Sequence, residues 1–536
     1  MSDKKQNMVT RALDQMNAGN WLGADASLTK AISTFPNDYG FLRLMGIAKQ
    51  QQNLRNESLD FFNKALAIAP MKPDALISSG NAEMAMRNYA NAFTHISKAL
   101  KIDPSYAEGW SLLANLHAQN QHYNGALNAF KKSYGLKPDS IEIVSGYLNL
   151  LEQTKRTEDM GKVLAEVSLL AANHPIVRLY RGIHHFLIGN SESARAALEG
   201  LSFGDSKSNQ MRLLSLLQTQ YLGRAYEALG LTEKAFSQFV DAKALNRAMQ
   251  NFGTENGNDF FSYLDARKNY LHAQSSPFKW PSSPQERNPV FLIGFPNTGV
   301  DMLDSFLRAH TGLSVLNEKP TVSTMFKKLG DLGRGDLSQL DRLSEESIKD
   351  AQQAYWAAVD GYRPTGLVVD KNPLNLMNAA EILRIFPGAK FILAMRDPAE
   401  TMLSCFQQAF RLNFATSAFD DPSSTSKAFD SMMQIWSKSV ELYQPEFIVS
   451  RYEDLLENPE QSLREIIAFL GGDWDENMFE HLKPEKQTTT INPLDFAHLS
   501  KQTTEAASAP WAQYADLMPE ALEILAPWRK EFGYSD

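Results

Sequence analysis

The segment that best indicates the fold reads Val290-Phe-Leu-Ile-Gly294-Phe-Pro-Asn-Thr-Gly299-Val-Asp301. A short apolar run ends at a glycine, a second glycine follows five positions later, and a helical pattern begins near Met302. A strand, a glycine-bounded turn and a helix would surround one anion with backbone N–H groups and the positive helix end. We therefore predict an anion-binding turn. An ordinary strand-to-helix turn, capped by Thr298 or Asp301, is the alternative.

The spacing of the two glycines matches a nucleotide P-loop, but the residues after them do not. Val300 and Asp301 stand where a Walker motif needs Lys and Ser or Thr. Hydrolysis of a magnesium nucleotide is therefore disfavoured.

A second strand-to-helix junction reads Phe391-Ile-Leu-Ala-Met-Arg396-Asp-Pro-Ala-Glu-Thr-Met-Leu-Ser404. We predict Asp397 as the helix N-cap, Pro398 at the first helical position and Glu400 completing a capping box. Ser404 lies about two helical turns beyond the cap, so it returns to the same face, near Arg396. One guanidinium and one hydroxyl would then converge on a single phosphate.

Short apolar runs alternate with helical patterns from residue 289 onwards, which predicts a parallel sheet covered by helices. Ligands bind beyond the carboxyl ends of the strands in such sheets, which is where both junctions would lie. A Pro/Ser-rich stretch at 273–289 would interrupt either a helix or a central strand and indicates a domain boundary.

The first half of the chain repeats with a period of 34 residues. Prolines mark the period at Pro36, Pro70, Pro104 and Pro138, and small residues precede them by five positions at Ala31, Ala65, Ala99 and Ser133. This pattern resembles the tetratricopeptide repeat, and weaker units continue to about Asn246. Such helix pairs stack into a solenoid whose groove binds a peptide or another domain; a rigid arm that covers or dimerises the rest is the alternative.

From about Pro289 the chain resembles sulfotransferases that use 3′-phosphoadenosine 5′-phosphosulfate, fused to tetratricopeptide repeats as in bacterial proteins of this kind. Besides the two junctions, Asp370-Lys-Asn-Pro373 and Arg451-Tyr-Glu-Asp-Leu455 follow the family's order. The resemblance implies donor binding by Phe295, Pro296, Asn297, Thr298, Gly299, Val300, Asp301, Arg396, Ser404 and Tyr452, without a metal. Similarity to tyrosylprotein sulfotransferases implies Glu318 as the base and Lys371 as an active-site cation; solvated loop residues are the alternative.

Three departures from the family pattern bear on activity. Asn297 replaces a basic residue, Val300 and Asp301 replace paired threonines, and Pro510-Trp511 replaces Arg-Trp. A carboxylate at the start of the helix would repel a phosphosulfate if it faced the donor. A second hypothesis is therefore a catalytically impaired, sulfotransferase-like binding scaffold.

Composition limits the remaining choices. The 536 residues carry a net charge of −9 without a basic block, which disfavours nucleic acid. A single cysteine, Cys405, favours a reducing cytoplasm, and we expect no leader and no membrane span.

We thus expect a multidomain protein: an all-α repeat solenoid of about six helix pairs at 1–250, a connecting helix and linker at 251–288, and an α/β P-loop-like parallel-sheet sulfotransferase domain at 289–536. The expected partners are a peptide or protein in the repeat groove and a hydroxyl acceptor, either protein tyrosine or carbohydrate. Whether the chain forms a homodimer stays open.

Overall fold

The computed structural model describes residues 2–120, 122–203, 209–250, 255–274, 287–330, 337–482 and 510–534. The chain divides into two compact units, 1–188 and 189–536. Among the described residues, no helix is both long and apolar enough to cross a membrane.

The first unit consists of helices that pack in consecutive pairs. They are α1 Ser2–Asn17, α2 Trp21–Thr34, α3 Tyr39–Gln51, α4 Arg55–Ile68, α5 Pro73–Ala85, α6 Tyr89–Ile102, α7 Ala107–Gln119, α8 Tyr123–Leu136, α9 Ile141–Gln153, α10 Thr157–Ala171 and α11 Pro175–Leu187. The predicted all-helical repeat region is confirmed here.

Glycines in the repeat allow the two helices of a pair to approach closely. A Cβ on Gly46 would lie 2.6 Å from the ring of Phe62, and a Cβ on Gly80 would lie 2.8 Å from Ile96. Both distances are too short for carbon atoms, so the large side chain of the second helix occupies the space that the glycine leaves. The 34-residue period therefore reflects this packing.

The second unit begins with four further helices, α12 Ser191–Leu198, α13 Asn209–Ala228, α14 Thr232–Gln250 and α15 Glu255–His272. The same packing of a large side chain against a glycine recurs in the α13–α14 pair, where a Cβ on Gly223 would lie 2.8 Å from the ring of Phe239. Residues 189–274 nevertheless share one compact unit with the sheet that follows. The domain boundaries expected at 250 and 289 stay a prediction about independently folding parts, and residues 275–286 of the expected linker lie outside the described residues.

A five-stranded parallel sheet forms the centre of the second unit, as predicted. Its strands are β1 Val290–Gly294, β2 Leu313–Asn317, β3 Leu367–Lys371, β4 Lys390–Met395 and β5 Glu446–Arg451, in the order β2-β3-β1-β4-β5. The helices around it are α16 Val300–Ala309, α17 Thr321–Phe326, α18 Glu345–Asp360, α19 Ala379–Ile385, α20 Pro398–Gln407, α21 Pro422–Tyr443, α22 Tyr452–Glu457, α23 Pro459–Leu470 and α24 Pro519–Glu531. The central strand β1 is fully buried, which explains its unbroken apolar sequence.

A buried ion pair connects helix α15 to the sheet domain. Arg267 of α15 donates to Glu381 of α19, and both side chains are fully buried. The guanidinium carbon also lies 3.7 Å from the ring centroid of Tyr263. Removing one partner of such a pair leaves an uncompensated charge in the interior, which is far more costly than losing a surface pair.

We expect Arg267→Met to lower the free energy of unfolding by about 3 to 5 kcal/mol, because Glu381 would stay buried without its cation. The double variant Arg267→Met with Glu381→Leu should recover most of that loss. Urea unfolding followed by tryptophan fluorescence measures both changes.

The matched control is Lys427→Met, which removes an exposed pair with Glu520 and should cost less than about 1 kcal/mol. If Arg267→Met costs no more than this control, the buried pair does not hold α15 to the domain.

Candidate active site at the carboxyl edge of the sheet

Both predicted anion-binding junctions lie at one edge of the sheet. Strands β1 and β4 pair in parallel, with Gly294 opposite Ala394. The turn after β1 and the residues after β4 therefore leave the sheet side by side, with Arg396 two positions beyond the paired alanine. This places the turn at 295–299 next to the start of α20.

The turn after β1 is a compact structure held by its own side chains. Thr298 Oγ1 donates to the carbonyl oxygen of Phe295 at 2.7 Å, and Gly299 has φ +85° as the N-cap of α16. Phe295, Thr298 and Val300 are buried. Of these predicted donor-binding residues, Phe295 and Val300 can offer a ligand only their backbone groups.

Asn297 links this turn to helix α20. Its backbone has φ +66°, and its Nδ2 donates to Gln408 Oε1 at 2.9 Å. The neighbouring Pro296 accepts the thiol hydrogen of Cys405 at 3.3 Å. The two anion-binding segments are therefore joined by hydrogen bonds as well as by strand pairing.

Lys371, at the end of β3, is buried and paired with two carboxylates of α16. Its Nζ contacts Asp301 and lies 3.2 Å from Asp304 Oδ2. Burial acts to lower the pKa of Lys371, but the charges of Asp301 and Asp304 outweigh this effect and raise it. Asp301 thus has a cation partner that the sequence analysis did not anticipate, and Lys371 directs its charge towards α16.

Glu318 lies beside Lys371, immediately after the end of the neighbouring strand β2. Its backbone N–H donates to the carbonyl oxygen of Lys371 at 2.7 Å, and its own φ is +48°. The side chain of Glu318 is exposed. The structure therefore brings the two predicted catalytic residues together through their backbones, with an exposed carboxylate at the sheet edge.

Arg396 lies over the ring of Tyr452, with its guanidinium carbon 4.8 Å from the ring centroid. Tyr452 also contacts Gly299, where an added Cβ would lie 2.5 Å from the ring. One aromatic ring therefore supports both the turn after β1 and the arginine after β4. Ser404, the second predicted phosphate ligand, is half-buried on α20.

The N-terminus of α20 confirms two of its predicted signals and corrects the third. Asp397 accepts from Ala399 N at 2.8 Å as the N-cap, and Pro398 occupies the first turn. The predicted capping box is wrong, because the N–H of Asp397 donates to Glu453 Oε1 at 3.0 Å. Glu400 instead lies 3.6 Å from Arg396 and accepts from Trp511 N at 3.1 Å.

Two charged residues of this site were not predicted as part of it. Burial raises the pKa of Glu400 to about 7, and Arg396 opposes that rise. Arg529 of α24 donates to both carboxylate oxygens of Asp397 at 3.2 to 3.3 Å and stacks 4.4 Å from the ring centroid of Trp511. Its separation of 132 residues from Asp397 leaves no local sequence signal.

In the described part of the chain, no group of three or more His, Cys, Asp or Glu side chains could hold a metal.

Comparisons with known proteins agree with the fold and with the motifs. Residues 289–476 match the model of the sulfotransferase family, and residues 78–141 match the tetratricopeptide repeat. Both resemblances predicted from the sequence are thereby confirmed for these segments.

Several relatives match about two fifths or more of this chain at low identity. An uncharacterised protein of Aquifex aeolicus is 25% identical over 261 residues, which are 45% of this chain and 32% of that protein. Protein-tyrosine sulfotransferase 2 of Gallus gallus is 26% identical over 237 residues, with 40% of this chain and 62% of its own length covered. Protein-tyrosine sulfotransferase 1 of Danio rerio is 25% identical over 274 residues, covering 46% and 72%. The chain thus spans a third and about three fifths of the first two relatives.

The raised pKa of Glu400 gives a pH test of this site. A carboxyl whose pKa is higher in the folded state binds its proton more tightly there, so its contribution to stability is lost as pH rises from about 4.5 to about 7. We expect Glu400→Gln to become more stable relative to the natural chain by about 1 to 3 kcal/mol between pH 5 and pH 8. Urea unfolding at several pH values measures the difference.

Asp370 also has a raised pKa, to about 6 because of burial, but it is present in both chains and cancels in the comparison. The matched control is Glu460→Gln, which alters an exposed pair with Arg464 and should show no such pH dependence. Parallel curves for the natural chain and Glu400→Gln would mean that Glu400 is ionised throughout this range.

Proposed function

We propose that the protein transfers a sulfuryl group from 3′-phosphoadenosine 5′-phosphosulfate to a hydroxyl acceptor. The observation that carries the proposal is the in-register pairing of β1 with β4, inside the segment that matches the sulfotransferase family. This pairing places the glycine-bounded turn next to Arg396 at the start of α20. Two phosphates of one nucleotide need two such anion-binding segments side by side.

The donor is a substrate with negative charge at both ends of its ribose. Backbone N–H groups of the 295–301 turn would bind the 5′ end, except at Pro296, which has none, and at Thr298, whose N–H donates to Phe295 O. Arg396 and the half-buried Ser404 would hold the 3′-phosphate, and Tyr452 supports both segments. Arg396 must exchange Glu400 for the phosphate, which the raised pKa of Glu400 makes easier.

In the transfer, the acceptor oxygen forms a bond to sulfur while the bond from sulfur to the phosphate oxygen breaks. The acceptor proton goes to a base, for which the exposed carboxylate of Glu318 is our candidate. Negative charge develops on the leaving phosphate and needs a cation or N–H donors. Lys371 is the candidate cation, and it can act only if Asp301 and Asp304 share it with the donor.

The acceptor and the compartment are further parts of the proposal. The named relatives are protein-tyrosine sulfotransferases, which favours a tyrosine hydroxyl over a carbohydrate hydroxyl as acceptor. We assign the repeats to binding the acceptor protein or a partner, and the single cysteine favours the cytoplasm.

The second candidate function is a binding scaffold without transfer activity. It is favoured by the two carboxylates that already neutralise Lys371 and by Asn297 in place of a basic residue.

Arg396→Ala should weaken binding of adenosine 3′,5′-bisphosphate at least about tenfold, because a charge-assisted contact to a partly buried phosphate contributes roughly 1.5 to 3 kcal/mol. Titration calorimetry measures the affinity, and a rise in melting temperature with nucleotide reports binding independently.

Arg464→Ala is the matched control, since Arg464 lies on α23 and pairs with exposed Glu460. It should leave the affinity unchanged. An equal affinity in Arg396→Ala and the natural chain, with both folded, would show that the phosphate binds elsewhere.

We expect Asn297→Arg combined with Asp301→Thr to tighten nucleotide binding and to raise sulfuryl transfer. The change adds a cation to the turn and removes one of the two carboxylates that hold Lys371, whose repulsion of a nearby anion is on the order of 1 to 4 kcal/mol at surface-like dielectric. A radiolabelled-donor assay measures transfer.

A third variant adds Glu318→Ala to the pair and should bind nucleotide without transferring. If the natural chain already binds the donor tightly, Asp301 does not oppose the donor. If restored binding brings no transfer that depends on Glu318, the scaffold function is the better explanation.

A further inference from the structure

Helix α14 carries a polar face that contacts the chain just beyond α20. Residues 408–421 connect α20 to α21 and are called here the α20–α21 connection. The polar face consists of Lys243, Asn246, Arg247 and Gln250, which are spaced as one side of a helix. All four make hydrogen bonds to the backbone of the connection or of the end of α20.

Lys243 makes the central contact. Its Nζ donates to the carbonyl oxygens of Cys405, Gln408 and Phe419 at 2.9, 2.9 and 2.7 Å. The side chain is only 8% exposed. Burial lowers the pKa of Lys243 to about 8, and the three acceptors offset part of the cost of the buried charge.

The carbonyl of Cys405 belongs to the last turn of α20, where helix carbonyls lack partners within the helix and a cation is favourable. The carbonyl of Gln408 belongs to the C-cap, the first residue of the connection. The carbonyl of Phe419 belongs to the far end of the connection. One ammonium group therefore fixes the end of α20 and closes the connection back onto it.

The neighbouring residues of α14 extend the contact. Asn246 Nδ2 donates to Phe410 O at 2.8 Å, and Gln250 exchanges two hydrogen bonds with the connection, donating to Phe410 O and accepting from Leu412 N. Arg247 pairs with Asp420. Arg247 also donates to Ser417 O at 3.3 Å. Apart from the Arg247–Asp420 ion pair, these contacts are made to the backbone of the connection and do not depend on its side chains.

This contact reaches both halves of the proposed nucleotide site. Ser404 immediately precedes Cys405, whose carbonyl Lys243 holds. Gln408 accepts from Asn297 of the turn, and the thiol of Cys405 donates to Pro296. A shift of the α20 terminus would therefore move Ser404 directly and the turn indirectly.

We infer that Lys243 is a positioning residue for the 3′-phosphate, holding the end of α20 so that Ser404 and Arg396 face one anion. The inference rests on the proposed function. It assigns α14 to the nucleotide site. This helix lies outside the segment that matches the sulfotransferase family, and its sequence resembles a weak tetratricopeptide repeat.

The test compares adenosine 3′,5′-bisphosphate with adenosine 5′-monophosphate by calorimetry. The dissociation constant of the monophosphate divided by that of the bisphosphate isolates the contribution of the 3′-phosphate, which a general loss of stability would not change. We expect Lys243→Met to reduce that ratio about tenfold, since it removes charge-assisted bonds that hold Ser404 in place.

Lys234→Met is the matched control, because Lys234 is an exposed lysine of the same helix that lies over the ring of Tyr226. It should leave the ratio unchanged. Gln250→Ala is the second variant if Lys243→Met fails to fold, with an expected reduction of about threefold for the loss of neutral hydrogen bonds.

The outcomes distinguish failure of the proposed function from failure of the proposed role of Lys243. A natural chain that binds neither nucleotide overturns the proposed function together with this inference. If the natural chain prefers the bisphosphate and Lys243→Met has the same ratio as Lys234→Met, the proposed function stands and only the role of Lys243 is overturned. Where Lys243→Met does not fold, an unchanged ratio in Gln250→Ala has the same meaning.

Discussion

The parallel pairing of β1 with β4 is the constraint on which the candidate site depends. Because Gly294 lies opposite Ala394, the turn after β1 and the start of α20 emerge together from the sheet. Parallel strands cannot be adjacent without crossover connections, so the helices between β1 and β4 must lie on the faces of the sheet and leave its carboxyl edge open. Tyr452, which follows the next strand β5, then fills the space between the two junctions.

Three cations at this edge of the sheet each have a carboxylate partner. Lys371 is paired with Asp301 and Asp304, and Arg396 lies next to Glu400. Arg529 is similarly paired with Asp397. Such pairs neutralise the buried charge, but they lower the affinity of the cation for a phosphate. An incoming anion must displace the carboxylate as well as lose its own water. Lys371 and Arg396, which match the sulfotransferase pattern, are therefore already engaged by carboxylates of this chain.

The three pairs differ in how readily they could open. Glu400 has a raised pKa and can become neutral near pH 7, which would release Arg396. Asp301 is more than half exposed, so water screens its hold on Lys371. Asp397 is an N-cap and accepts from Ala399 as well as from Arg529, so it has the least freedom. If the proposed donor binds, Arg396 is thus easier to engage than Lys371, which also pairs with the buried Asp304.

The sequence predicted the parts of this structure that local patterns determine. The 34-residue period, the strand-to-helix junctions and the helix cap at Asp397 follow from neighbours within a few turns, and the structure has them. The capping box failed because Glu453, 56 residues away, supplies the acceptor that Glu400 would have supplied. The partners of Lys371 and Asp397 could not be predicted for the same reason, since tertiary contacts decide which charges meet.

Helix α14 shows how a repeat pattern can conceal a second role. Gly223 and Phe239 pack as the glycine and large residue do in the clear repeats, so the pair α13–α14 satisfies the repeat rule on its inner side. One and two turns further along the same face, α14 carries Lys243 and Asn246, which are both buried. Polar residues at the spacing of a buried helix face therefore indicate, from the sequence alone, that α14 packs against backbone groups and not against solvent. Because burying an unpaired lysine is costly, Lys243 depends on the three carbonyls that it contacts, and this dependence ties α14 to the end of α20 beside the proposed nucleotide site.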